Sequence, residues 1–293
     1  MKKPVYFLII LLIPVVFIHS NIRINYFNPS PFNKLEKYNE SYINWSKGYA
    51  LAWGQSKVNM NHENILQSRL QAEKQADVEA IKDLTNMLIK VRVDTFKTLY
   101  DYIKESKEFG VLFNKYVHEN AFKLMPLTKN YSTVKSGIVF KFFGKKSLLE
   151  VFFKALHHEP VRRVPMFNNK KHMETHNYTG LVIDARNTKF RPSLFPTIYV
   201  IDKHGIRRTI FSFHHLNRRR SLKNGSVRFT TSAYNVYQDD IVGPRPYFCH
   251  AEKISGEFNT DIYISRDDAI KLLSSPYSSK RLEEGRILIV VPK

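Results

Sequence analysis

A chain of 293 residues, with 43% hydrophobic and 25% charged side chains, carries enough apolar material for one large or two ordinary folded domains, which excludes a chain disordered throughout. The single cysteine, Cys249, excludes an internal disulfide scaffold and a cysteine-ligated zinc. A net charge of +20 is concentrated in residues 161–228, which hold 15 Lys and Arg against three acids, whereas residues 239–293 hold 8 against 9. Such a field steers anionic partners toward the middle of the chain.

At the N-terminus, Lys2 and Lys3 precede an apolar run over residues 5–18, followed by His19, Ser20 and Asn21. Fourteen helical residues span roughly 21 Å, short of the roughly 30 Å hydrocarbon core of a bilayer, so the run reads as a secretory signal cut after Ser20, with an uncleaved anchor as the alternative. No cysteine follows that could carry a lipid. Residues 21–42, with Pro29 and Pro31 among Asn, Ser and Lys, read as a linker.

A first domain is expected over residues 43–160. Residues 43–55 alternate like a strand, with Trp45, Tyr49, Leu51 and Trp53 on one side, and Gly54 with the Asn-rich stretch after it is expected to end it. Residues 63–91 form the clearest helix, because Ile65, Ala72, Ala76, Ala80, Leu84, Leu88 and Val91 recur at four-, seven- and three-residue steps. The alanines leave a narrow face that can approach a sheet closely. A strand over residues 90–99, a helix over 100–119 weakened at Gly110, strands over 122–128 and 131–143, and a helix over 145–157 complete an α+β domain in which helices cover one face of an antiparallel sheet.

Residues 161–178 read as a second linker, and residues 179–293 as a β-rich α+β second domain, again with antiparallel sheet and helices packed on one face. Strands are expected over 179–185, 197–202 and 207–213, the last two joined by a turn at Lys203 to Gly205. Asn224-Gly225 is a hairpin-turn signal before a strand over 227–231. Ser265 and Asp268 make a capping box for a helix over 266–274, and residues 286–291 close the chain as a buried strand.

The Trp- and Tyr-bearing strand followed by the alanine-stepped helix resembles the N-terminal domain of flagellar assembly protein T and the small envelope lipoproteins related to it. In the second half, Thr179-Gly180-Leu181-Val182-Ile183-Asp184-Ala185-Arg186, then Arg191-Pro192-Ser193-Leu194-Phe195-Pro196, resemble a signature of exported proteins of that group, as does the close of the chain. The resemblance implies a periplasmic or outer-membrane-associated envelope protein of a diderm bacterium, acting in assembly or scaffolding. The missing acylated cysteine and the basic centre depart from the lipoprotein members.

Motifs for catalysis are sparse: the sequence has no Gly-rich phosphate loop, no G-x-S-x-G elbow and no H-E-x-x-H helix. His172 and His176, four apart with Glu174 between, read as solvated linker histidines, and the pairs His157-His158 and His214-His215 point their side chains apart. Asp184 and Arg186 share one strand face and are expected to pair, with Arg191 joining them after the turn. Arg218, Arg219, Arg220 and Lys223 read as a basic loop tip able to grip phosphates. These seven residues are the candidate binding surface, either for a scaffold or for an enzyme centred on Asp184, Arg186 and Arg191. No cofactor is implied. The expected partner of an exported chain is an envelope protein, anionic lipid or wall polymer rather than nucleic acid.

Overall fold

The computed structural model describes residue 27 and residues 29–124, 127–157, 159–167, 176–238 and 240–293. The expected signal over residues 1–20 and its cleavage point, together with His158, His172 and Glu174, lie outside the described residues. Among the described residues no helix is long and apolar enough to cross a membrane.

The protein is an α+β fold. Its first sheet contains β1 (Leu35–Tyr38), β2 (Ser41–Asn44), β3 (Tyr49–Lys57), β4 (Phe122–Lys123), β5 (Leu127–Asn130) and β6 (Thr133–Lys141), in the order β1-β2-β3-β6-β4 with β5 also on β6. Every pairing in it is antiparallel, as expected from the alternating sequence. The first linker thus contributes a hairpin. Glu36 on β1 is drawn to Arg92, and Lys34 donates to the Pro292 carbonyl at 2.8 Å, so the charges of this segment tie it to the loop after the first helix and to the C-terminal residues.

The strand expected over residues 43–55 is instead the facing ends of β2 and β3. The Asn44 side chain accepts from the Lys47 amide at 2.9 Å, and Gly48, at φ +66°, lets the chain reverse. Trp45 at this corner is fully buried against Phe142, ring centroids 5.6 Å apart.

Helix α1 (Ile65–Leu88) starts at Asn64, whose side chain accepts from the Gln67 amide at 3.0 Å, and lies across β3 and β6. Its alanine face is the contact: Ala76 and Ala80 are fully buried, although Ile65 is exposed. Gly54 does not end β3, which runs on to Lys57. It marks the crossing point, where a methyl group would sit 2.0 Å from the Ala76 carbonyl oxygen.

Residues 90–98 form a loop closed by the bridge Arg92–Thr98, not the strand expected over 90–99, whose last residue begins a helix. The carbonyls of Arg92 and Val93 are taken by the amides of Leu194 and Phe195, at 3.0 and 2.8 Å, leaving no ladder to extend. The helix expected over 100–119 divides at Ser106 into α2 (Leu99–Glu105) and α3 (Lys107–Asn120), because the Ser106 side chain accepts from Phe109 and starts a new helix. Gly110 lies inside α3, where Ile103 packs close to it. Helix α4 (Leu148–Ala155) follows β6.

The second half departs from the antiparallel expectation. Strands β7 (Leu181–Asp184), β10 (Arg228–Thr230), β11 (Tyr247–His250) and β14 (Ile287–Val290) form a wholly parallel sheet, ordered β10-β14-β7-β11. Leu181 and Ile183 on one face and Val182 on the other are all buried, as are Ile287 and Ile289 with Leu288 and Val290, the continuous apolar pattern of strands covered on both faces. A third sheet joins β12 (Lys253–Ser255), β13 (Asp261–Tyr263), β8 (Ile198–Ile201) and β9 (Arg207–Phe211), with β8 and β9 the expected antiparallel hairpin.

Asn224-Gly225 is not a hairpin turn. It ends α5 (Arg218–Asn224), where Gly225 at φ +88° donates its amide to the Ser221 carbonyl at 2.7 Å. The basic loop tip is therefore a helix, capped by Asn217, which accepts from Arg220 N–H at 3.1 Å. Helix α6 (Arg266–Leu272) has the expected Ser265–Asp268 box, and α7 (Pro276–Glu283), with Pro at its first turn, was not anticipated. One buried cluster runs from Ile43, Phe140 and Phe152 to Phe195, Phe211 and Ile289, so the two halves share apolar packing.

Candidate anion-binding cleft

Of the seven candidate residues, the structure brings only two into one ion pair. Arg186 Nε and Nη2 reach the Asp184 oxygens at 2.9 and 2.6 Å. Those bonds hold the Asp184 carboxyl below its usual range, against the opposing effect of partial burial. Arg191 does not join them. Its amide donates to the Asn259 carbonyl at 2.9 Å, and its charge is felt at Lys34 and Tyr38 instead.

The arginines of α5 divide by direction. Arg218 turns inward and donates to the carbonyls of His157, Leu156 and Glu159 at 2.9, 2.7 and 2.8 Å, closing the end of α4. Arg219 is exposed, and so is Lys223 on the last turn. Arg220 reaches sideways to Glu284, which is 4% exposed and also accepts from Arg281 Nη1 at 2.8 Å and Arg286 Nε at 3.1 Å. Burial alone would raise the Glu284 carboxyl, but the bonds and charges of Arg281 and Arg220 outweigh it and hold it low.

Beside this cluster lies an open cleft of about 440 Å³ between the second linker, the start of α5 and the end of α7. The linker is docked rather than loose. Arg162 N–H donates to the His214 carbonyl at 2.6 Å, Val164 N–H to Glu283 Oε1 at 3.2 Å, and Val164 is buried. That docking presents Arg162, Arg163, Arg220 and Lys280 around the cleft, against Glu283 and the already crowded Glu284. With Glu284 shared among Arg220, Arg281 and Arg286, and Glu283 accepting from the Val164 amide, the four cations outnumber the two carboxylates and leave a positive concavity suited to phosphate or carboxylate oxygens.

Residues 180–293 match the family described as Treponema pallidum Tp0624, second domain. The match spans β7 to β14 and includes Arg220, Lys280 and Glu284, but neither Arg162 nor Arg163. Comparison with curated proteins gives no match.

Sequence reasoning singled out Arg220 but missed Arg162, Arg163 and Lys280. The available signal was the charge excess in the second linker, which was read as a boundary instead of as a wall. Among the described residues, no three His, Cys, Asp or Glu side chains converge as a metal site. His214 and His215 diverge as expected, His214 toward Glu159 at 3.2 Å and His215 into the interior, where Ser212 Oγ lies 2.9 Å from its Nδ1. Cys249 is buried, and burial pushes its thiol far above the range in which a thiolate forms.

Proposed function

We propose that the protein is an exported, non-catalytic α+β module of a bacterial cell envelope that holds an anionic envelope component, a lipid headgroup or wall polymer, in the cleft of Arg162, Arg163, Arg220 and Lys280. The observation that carries this reading is the convergence of those four cations, drawn from three separate segments, on one cleft of about 440 Å³. The match of the second half to a Treponema pallidum protein supports a bacterial setting. The apolar leader supports export, and the resemblance to flagellar assembly protein T supports an assembly role. The rival, an enzyme or polymer-binding site at Asp184, Arg186 and Arg191, is weakened because Arg186 already satisfies Asp184 and the charge of Arg191 acts on Lys34 and Tyr38 rather than on Asp184.

Two measurements test the proposal. Mass spectrometry of the mature N-terminus in fractionated cells should find a chain beginning at Asn21 outside the cytosol; an intact Met1 in the cytosol removes the premise of export. Co-sedimentation with phosphatidylglycerol vesicles or purified wall polymer should fall by about tenfold or more in the Arg163→Ser/Lys280→Ser double variant, at roughly 1 kcal/mol per basic side chain. Retention equal to that of the unaltered chain would retire the cleft as the binding surface.

A further inference from the structure

On the other side of the second linker, the loop after α1 presents a different chemistry. Asp94 fixes this loop by accepting from the amides of Phe96 and Lys97 at 2.8 and 2.9 Å, while its second oxygen accepts from Tyr102 OH at 2.9 Å. The loop is also anchored to the second half through the Arg92 and Val93 carbonyls. At its tip the Phe96 ring is 69% exposed. A rigid loop that holds a large aromatic side chain in water is a standing cost to the fold, which contact with a ligand would recover.

Phe96 stands at the mouth of a concavity of about 340 Å³ on the seam between the two halves. Its walls include Tyr102 from the first half and Phe195 and Phe213 from the second, the latter two tilted against each other at 54° with centroids 4.5 Å apart. Two carboxylates, Asp94 and Glu159, line the same space. Lys97 lines it too, its ammonium paired with Glu105 at 2.6 Å and lying 5.3 Å from the centre of the Tyr102 ring, so that face of Tyr102 is already taken. Glu159 Oε2 is shielded from solvent and accepts no hydrogen bond, although His214 Nδ1 lies 3.2 Å away. A carboxylate oxygen without a donor, beside aromatic faces, is the arrangement that an ammonium group completes, donating to the oxygen while its positive charge rests over the rings.

We propose that this cavity binds a small organic cation, an ammonium group on an apolar or ring-bearing body, with the ammonium at Glu159 and the body against Phe96 and Phe213. The site is independent of the basic cleft and takes the opposite charge. On a chain of net charge +20, the carboxylates of Asp94 and Glu159, with the Lys97 ammonium balanced by Glu105, make this cavity less favourable to anions than the basic surface around it.

The test is calorimetric titration of the full chain with benzylamine, benzyl alcohol and benzoate, which share a ring and differ in charge. Benzylamine should bind about tenfold tighter than benzyl alcohol, with benzoate weakest. Glu159→Gln should lower benzylamine affinity about tenfold and erase its advantage over the alcohol. Phe96→Ala should weaken benzylamine and benzyl alcohol alike, about fivefold, which separates the ring contact from the charge contact. Absence of benzylamine binding, equal binding of the three probes, or an unchanged affinity in Glu159→Gln would each overturn the proposal. Phe96→Ala, at an exposed position, keeps the test decisive should Glu159→Gln disturb the linker.

Discussion

Arg92 grips Glu36 at two points, Nη1 to Oε1 at 3.2 Å and Nη2 to Oε2 at 2.5 Å, while its Nε donates to the Pro192 carbonyl at 2.9 Å. One guanidinium thus joins the first hairpin, the loop after α1 and the Pro-rich loop of the second half. Glu36 also accepts from Trp45 Nε1 at 2.9 Å and Tyr38 OH at 2.8 Å. Burial would raise this carboxyl; the Arg92 bonds and charge outweigh that and hold it low. Replacing Arg92 with Met leaves a largely buried carboxylate without its cation, and should cost about 3–5 kcal/mol in urea unfolding. A loss below about 1 kcal/mol would show that the halves do not depend on this joint.

His215 makes stability depend on pH. Burial, followed by the charges of His214 and Arg162, lowers its pKa to about 4, so it stays neutral in the fold where an unfolded chain would take up a proton. With a folded value below the unfolded one of about 6.5, its contribution is whole above that pH and is lost as pH falls toward 4, by roughly 3 kcal/mol in all. Urea midpoints measured from pH 7 to 4.5 should fall, and His215→Phe should flatten the decline. An identical slope in the variant would assign the acid sensitivity to other groups.

Gly54 is the tightest contact between helix and sheet. A methyl group there would lie 2.0 Å from the Ala76 carbonyl oxygen and 2.5 Å from the Ala80 amide nitrogen, both backbone atoms that cannot rotate away. Gly54→Ala should therefore cost about 3 kcal/mol by forcing α1 off the sheet, despite the usual preference for alanine over glycine within a strand. Thermal melting checks this, and a variant as stable as the original would mean that the helix sits farther away.

Arg218 and Arg219 are neighbours in sequence with opposite duties. Arg218→Ser removes three hydrogen bonds to the carbonyls of residues 156, 157 and 159 and should cost about 1–3 kcal/mol, whereas Arg219→Ser on the exposed side should change stability by less than about 0.5 kcal/mol. Denaturation of the two single variants distinguishes them. Equal effects would contradict the division of α5 into an inner and an outer face.

Features decided within a few residues were legible in the sequence. The alanine stripe of α1 follows from helical periodicity, the start of α6 from the Ser265–Asp268 box, the β8–β9 hairpin from the turn at Lys203 to Gly205, and the Asp184–Arg186 pair from their closeness in sequence, although β7 ends at Asp184 and Arg186 pairs from the turn after it rather than along a strand face. The α+β class was legible for the same reason: apolar periodicity is a local property that the final fold preserves.

Tertiary structure decided whatever depended on a distant partner. The parallel sheet sets Leu181 beside both Ile287 and Tyr247, a neighbourhood that a run of apolar residues cannot disclose because the same run suits either direction of pairing. Asn-Gly can end a helix or turn a hairpin, since both need only a residue at positive φ, and the capped helix before it settled which. The basic cleft shows the division most plainly. A local window can count Arg162, Arg163, Arg220 and Lys280, but only packing could turn Arg218 to buried carbonyls, share Arg220 between Glu284 and the cleft and set the other three around the same concavity, because a guanidinium finds its partner through space and not along the chain.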